Sequence, residues 1–274
     1  MKDLFQCYSV IEASGLRIVY WIADFKRINY MLFSFLNRKT VPKDFTFLGT
    51  DIHSHLIPGI DDGCVDLEAS LQCIRSLVEM GYSKIITTPH VMDEVYPNST
   101  ATIKAGLRIL QDAVKEQQIP VTIEAAAEYK VDDNFIRLFK AGDLLTFGDN
   151  YLLIEFSFIA PPMNIDNIIF DLCASGYRPI LAHPERYTYW TTQFQQFERL
   201  KTQGCLFQIN LMSLVNKYGN PAKMTALKFI EAGMVNFFGT DLHRFEDIAK
   251  LKSLLDSKAE FSKLQQVKVL NSNL

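Results

Sequence analysis

The chain has 274 residues, 48% of them hydrophobic, enough to bury a large core and within the size of a single α/β barrel domain. Its 28 Lys and Arg against 31 Asp and Glu give a net charge of −3, which leaves no excess of positive charge to hold a nucleic-acid backbone and disfavours a polynucleotide substrate. The five cysteines, Cys7, Cys64, Cys73, Cys173 and Cys205, form no C-x-x-C pair, and none stands six positions before an arginine. The signatures of a zinc ribbon, a dithiol redox centre and a Cys-x5-Arg phosphatase are therefore missing, and scattered thiols suit a reducing compartment.

In chain order, the first segment is "LRIVYWIADFKRINYMLFSFLNRKT", apolar but interrupted by Asp24, Lys26 and Arg27. A membrane span needs roughly 20 consecutive apolar residues, and no basic start, sustained apolar stretch and small-residue cleavage site follow one another. No span and no secretory signal are predicted, so the expected location is the cytoplasm. Met31 opens an alternative start, and residues 1–46 are expected to form an extension outside a working domain of residues 47–274.

From residue 47 onward, short apolar, β-branched or aromatic runs alternate with stretches of helical period. "FLGTDI", "KIITT", "VTIEAA", "YLLIEF", "RPILAH", "CLFQIN" and "VNFFGTD" read as seven strands. Between them, "DLEASLQCIRSLVEMG" places Leu67, Leu71, Ile74 and Leu77 on one helical face, with Asp66 to cap its start and Gly81 to end it. "IKAGLRILQDAVKEQQ" and "NPAKMTALKFIEAG" read the same way. Strands alternating with helices predict a parallel sheet, and strands apolar on both faces predict burial on both. The fold class is thus α/β, with a distorted (β/α)7 TIM-like barrel preferred over an open doubly wound sheet, because neither G-x-G-x-x-G nor G-x4-G-K-[ST] is present.

All five histidines, His53, His55, His90, His183 and His243, fall at or just after the predicted C-terminal end of a strand. Asp51 and Asp62, Glu128, Glu155 and Asp241 share that location. In an α/β barrel this is the end where loops from remote parts of the chain converge, and imidazole with carboxylate suits divalent zinc, iron or manganese. Of the paired aspartates in "GIDDG", Asp62 is the expected ligand, the other making a turn with Gly63. Asp51 shares the side of the strand on which His53 and His55 project, either as a ligand or supporting a histidine from behind.

"DIHSHLIPGIDDG", "TTPH", "AAAEYK", "YLLIEFSF", "PILAHPERY" and "FFGTDLH", in this order over residues 47 to about 250, closely resemble the polymerase and histidinol phosphatase (PHP) superfamily. Within it they look most like the bacterial metal-dependent protein-tyrosine phosphatases found with capsule and exopolysaccharide synthesis genes. The resemblance implies three divalent ions, manganese above iron or zinc, held by His53, His55, Asp62, His90, Glu128, Glu155, His183, Asp241 and His243. It assigns Arg186 to the phosphate, with Asp62 and His90 beside it in catalysis, and offers Arg244 as a second substrate-binding arginine. Three divalent cations against the carboxylates of Asp62, Glu128, Glu155 and Asp241 leave about two positive charges to receive a phosphate dianion, with water activated by the ions as nucleophile. The implied partner is a phosphotyrosine-containing protein, a bacterial tyrosine kinase. A small-molecule phosphatase such as a histidinol-phosphatase, and a non-catalytic metal-bound scaffold that docks a kinase, are the alternatives. Two bland readings stand beside these: "ERYTYWTTQF" as barrel packing, and Arg186 as the surface partner of Glu185.

Overall fold

Side-chain alternation along the strands decides where the chemistry sits. In β6 (Tyr151–Glu155), Leu152 and Ile154 project into the large core shared with the helices, while Leu153 points the other way. Glu155 has the parity of Leu153, so it stands above that residue on the inner side. In β7 (Arg178–Ala182) Leu181 faces the helices, and Ile180 and Ala182 face inward. In β8 (Leu206–Asn210) Phe207 and Ile209 face the helices, leaving Gln208 and Asn210 on the opposite side of the strand.

These strands belong to a computed structural model in which residues 43–274 are described. The expectations for the first 30 residues and for Met31 lie outside the described residues. The chain proceeds through β1 (Thr50–Asp51), α1 (Leu67–Glu79), β2 (Lys84–Thr87), β3 (His90–Val91) and α2 (Thr100–Glu116). Next come β4 (Thr122–Ala125), β5 (Glu128–Lys130), α3 (Asp133–Ala141), β6, α4 (Ile165–Ala174), β7 and α5 (Gln195–Thr202). β8, α6 (Asn220–Glu231), β9 (Phe237–Gly239), α7 (Ile248–Asp256) and α8 (Lys258–Gln265) complete it. All pairings between named strands are parallel, in the orders β1-β2-β4 and β3-β5-β6-β7-β8-β9, as an α/β chain requires.

Two predicted strands are interrupted. "KIITT" stops at Thr87 and pairing resumes at His90, because Pro89 has no N–H to give to a ladder. "VTIEAA" likewise stops at Ala125 and resumes at Glu128, whose N–H donates to Pro89 O at 3.1 Å. The breaks divide the pairing into two sheets and set His90 and Glu128 opposite one another in register.

The helices form where the sequence places them. Asp66 caps α1 by accepting from Ala69 N at 2.9 Å, and Leu71, Ile74 and Leu77 are buried. Gly81 follows with φ +100°, where an added Cβ would lie 2.9 Å from Thr46 N. At the other end of the chain, Asn271 donates to Thr50 O at 2.9 Å and to Phe238 O at 2.7 Å, and accepts from Phe238 N at 3.0 Å. Leu270 and Leu274 pack on the inner cluster of Ile52, Ile86, Leu153, Ile180 and Phe237. No described helix is long and apolar enough to cross a membrane.

Candidate metal centre

The segments after β1 and β9 run side by side. Asp241 N donates to His53 O at 2.7 Å, His55 N donates to Leu242 O at 2.9 Å, and Ser54 bridges to Leu242 in parallel fashion. This contact carries His53 and His55 to Asp241 and His243. At the ends of β7 and β9, His183 and Asp241 take φ of +32° and +51°, a left-handed conformation that costs about 1 to 2 kcal/mol per non-glycine residue. Such strain is tolerated where a fixed surrounding structure aims a side chain.

The nine residues implied as ligands converge. Glu128 lies at the centre: its Oε2 is 3.1 Å from His53 Nε2, 3.2 Å from His90 Nδ1 and 3.5 Å from His55 Nε2, and its Oε1 is 3.0 Å from His183 Nε2. Glu155 Oε1 is 3.5 Å from His183 Nε2. Asp241 Oδ1 is 3.5 Å from His53 Nε2, 3.6 Å from His55 Nε2 and 3.4 Å from His243 Nδ1. On the outer side, Asp62 Oδ1 is 3.5 Å from Nε2 of both His90 and His243. Four overlapping groups result: His55, Asp62, His90 and His243; His53, His55 and Asp241; His53, Glu128 and His183; His90, Glu128 and Glu155.

These donors fit divalent cations. Glu128 Oε2, His90 Nδ1 and His183 Nδ1 are buried without a hydrogen-bond partner, although an orphaned buried polar atom is costly. Cation ligation satisfies Glu128 Oε2 and His90 Nδ1, which face each other at 3.2 Å, with the carboxylate and imidazole donors that such ions take, whereas His183 turns its Nε2 to the cluster. The fields within the site keep Glu128 and Asp241 charged and divide its histidines. Burial opposes the charged form of Glu128 and Asp241, yet the surrounding histidines hold both carboxyls well below the ordinary range. Burial pushes His90 and His183 down to about 4, keeping them neutral, whereas His53 is raised to about 9 because Glu128 and Asp241 outweigh its burial.

Around this centre stand side chains that sequence reading passed over. Gln208 Oε1 accepts from His53 Nδ1 at 2.7 Å, which directs His53 Nε2 toward Glu128. Asp61 Oδ2 faces His55 Nδ1 at 2.7 Å and accepts from His90 N at 3.0 Å, while its Oδ1 accepts from Gly63 N at 3.0 Å. The turn-making aspartate therefore also orients a histidine. Asn210 Nδ2 and Tyr218 OH donate to Asp241 Oδ2 at 2.6 and 3.1 Å. Asp51 takes neither expected role: its carboxylate accepts from Thr240 N and Thr240 Oγ1 at 2.9 and 2.8 Å, joining the first and last strand regions.

Arg186 does not pair with Glu185, whose Oε1 accepts instead from Asn210 N and Ser213 Oγ. Its Nη1 donates to Asp241 Oδ2 at 3.2 Å, and its guanidinium lies between the rings of Phe158 and Tyr218, 4.5 Å from each centroid. Arg244 is exposed and lines the same cavity of about 640 Å³ as Arg186. Tyr187 and Trp190 of "ERYTYWTTQF" are buried in the core against Phe156, so the packing reading of those aromatics is the observed one.

Residues 49–273 match the sequence model of a family described as "Capsular polysaccharide synthesis, CpsB/CapC". The tyrosine-protein phosphatase YwqE of Bacillus subtilis (strain 168) is 31% identical over 194 residues, covering 70% of this chain and 76% of YwqE. The putative tyrosine-protein phosphatase CapC of Staphylococcus aureus is 27% identical over the same length, with the same two shares. Among solved structures, one from the work on YwqE of Bacillus subtilis and CpsB of Streptococcus pneumoniae, described as unique metal-dependent tyrosine phosphatases, superposes with a TM-score of 0.69. It is 27% identical and covers 80% of this chain and 92% of its own. The resemblance carried by the six motifs is thereby borne out, and the chain belongs to the CpsB/CapC family of capsular polysaccharide synthesis.

Proposed function

We propose that this chain is a metal-dependent protein-tyrosine phosphatase that removes phosphate from a tyrosine kinase of capsular or exopolysaccharide synthesis. The observation that carries the reading is the convergence of five histidines and four carboxylates in overlapping groups, seven of the nine lining one cavity with Arg186, and with no Cys-x5-Arg loop to supply a thiolate. His53, His55, Asp62, His90, Glu128, Glu155, His183, Asp241 and His243 hold the metal. Bound divalent ions supply Lewis-acid charge for the phosphoryl oxygens and a water that loses its proton near neutral pH.

The chain's own residues do the rest. Arg186 keeps one nitrogen on Asp241 and offers the remainder of its planar fork to the phosphate, while Phe158 and Tyr218 fix the plane of that fork. Asp62, held down at about 2 chiefly by His243, is a carboxylate at neutral pH, and His90 is a neutral imidazole. Both are therefore in the form that would bind a cation, and neither has to lose a proton first; the leaving phenolate would take its proton from solvent.

Three finer statements belong to the same reading. A distorted (β/α)7 barrel is supported by the strand order, if β2 and β3 count as one interrupted strand and β4 and β5 as another, and by the hydrogen bonds between residues 53–55 and 241–242. Three ions, manganese ahead of iron or zinc, suit nine donors in groups that share His53, His55, His90 and Glu128. A cytoplasmic location accords with Cys64, Cys73, Cys173 and Cys205 all being free thiols.

Phosphate release from p-nitrophenyl phosphate with added manganese, abolished by a chelator, tests the enzyme reading; no turnover leaves only the metal-bound scaffold. Faster release from a phosphotyrosyl kinase tail than from histidinol phosphate supports the protein substrate, and the reverse order assigns the site to a small monoester.

A further inference from the structure

Beyond the walls that bear the proposed ligands, the cavity changes character. Its outer part is lined by Lys130, Lys217, Arg244 and Asp247, and Lys217 is neutralised by Asp247 at 2.7 Å. Lys130 and Arg244 make no salt bridge among the described residues, and the acids that share the lining with them are Asp247, paired with Lys217, and the proposed ligands Asp62, Glu128, Glu155 and Asp241. Two neighbouring apolar side chains line the same opening without cover: Phe158 is 42% and Ile159 90% exposed. A single exposed apolar residue means little, but an adjacent pair at the mouth of a cavity marks a surface suited to be covered.

We propose that this rim is a docking surface for an extended acidic segment of polypeptide, specific for the residues that flank the phosphotyrosine. The proposal rests on the phosphatase reading above. A phosphorylated ring whose phosphate reaches Arg186 must have its main chain leaving through the mouth, past Phe158 and Ile159 and past Lys130 and Arg244. An apolar residue beside the phosphotyrosine covers Phe158 and Ile159, and acidic residues further along face Lys130 and Arg244. Charge complementarity selects this occupant over a second copy of the chain docked rim to rim, in which Lys130 and Arg244 of the two copies would face like charges.

The test compares kcat/KM for p-nitrophenyl phosphate with that for two phosphotyrosine peptides, one flanked by glutamates and leucine and one by lysines and serine. The wild type, Ile159→Ser and Arg244→Glu are measured in the manganese-loaded full chain. We expect the wild type to favour the acidic, apolar peptide by about tenfold, the combined effect of one covered aliphatic side chain and two exposed charge pairs. Ile159→Ser then lowers the ratio of peptide to p-nitrophenyl phosphate turnover several-fold, and Arg244→Glu abolishes the preference for acid over lysine. Equal handling of both peptides, with that ratio unchanged in both variants, overturns the docking surface. A dimer in sedimentation that Ile159→Ser dissolves also overturns it, by making the rim a self-interface. If the wild type fails to turn over p-nitrophenyl phosphate, the phosphatase reading falls separately. The rim is then judged by fluorescence anisotropy of a non-hydrolysable phosphonate peptide: binding weakened by both variants supports it, and equal binding refutes it.

Discussion

His53 is held from two sides, by Gln208 on Nδ1 and by Glu128 and Asp241 on Nε2. In the metal-free chain its burial favours the neutral ring, but the two carboxylates raise it to about 9, so it carries a proton at neutral pH. Ligation needs the neutral imidazole; metal uptake at pH 7 therefore releases that proton, and a second from His55, which against its burial Asp61 and Glu128 likewise raise well above the ordinary range. Titration calorimetry of manganese binding in buffers of different ionisation enthalpy reads this directly, and binding without proton release at pH 7 contradicts it. Arg186 makes a different prediction because it touches the proposed ligand Asp241 and no other residue of that set by hydrogen bond. Arg186→Ala should keep the metal and lose roughly 10² to 10³ in kcat/KM, the usual cost of removing a donor aimed at developing charge; full activity would refute its role. The histidines were legible because only five exist and each ends a predicted strand. Gln208, Asn210 and Tyr218 were not, since a neutral amide or phenol has no spacing rule, although polar residues alternating within "FQIN" on an otherwise apolar strand were a signal; Asp61 was legible only as the turn before Gly63.

Among elements, the seven strands and the first helix were readable from period and caps alone. The interruptions of the second and third strands were missed, yet they place His90 and Glu128, and Pro89 within "TTPH" was their visible cause. Gly239 is a similar case: it reads as a strand residue, but a Cβ there would stand 2.7 Å from both Gln208 Nε2 and His53 Cβ. The C-terminal segment was not assigned a role by the sequence, because Asn271 has no partner near it in the chain. Its side chain joins Thr50 to Phe238 by three buried hydrogen bonds. Asn271→Ala leaves those backbone groups unpaired, and we expect a loss of about 2 to 4 kcal/mol in stability by urea unfolding. A change below about 0.5 kcal/mol, the level of a neutral surface substitution, would show that the segment adds little.

For the whole molecule, the family match begins at residue 49 and the described unit at Lys43 has its own large core. We therefore propose residues 47–274 as the working domain and predict that deleting residues 1–30 leaves turnover intact. A truncated chain that fails to fold would make the segment part of the structure. The central claim concerns the molecule as a scaffold: strands separated by up to about two hundred residues bring nine donors into one cluster of overlapping groups, and we propose that those donors hold catalytic metal. Elemental analysis of the manganese-reconstituted chain beside His53→Ala, with phosphatase activity measured on the same samples, tests it most directly. The account predicts three ions per wild-type chain, fewer in the variant, and activity lost with the metal. Full activity in wild-type protein stripped of metal would contradict it.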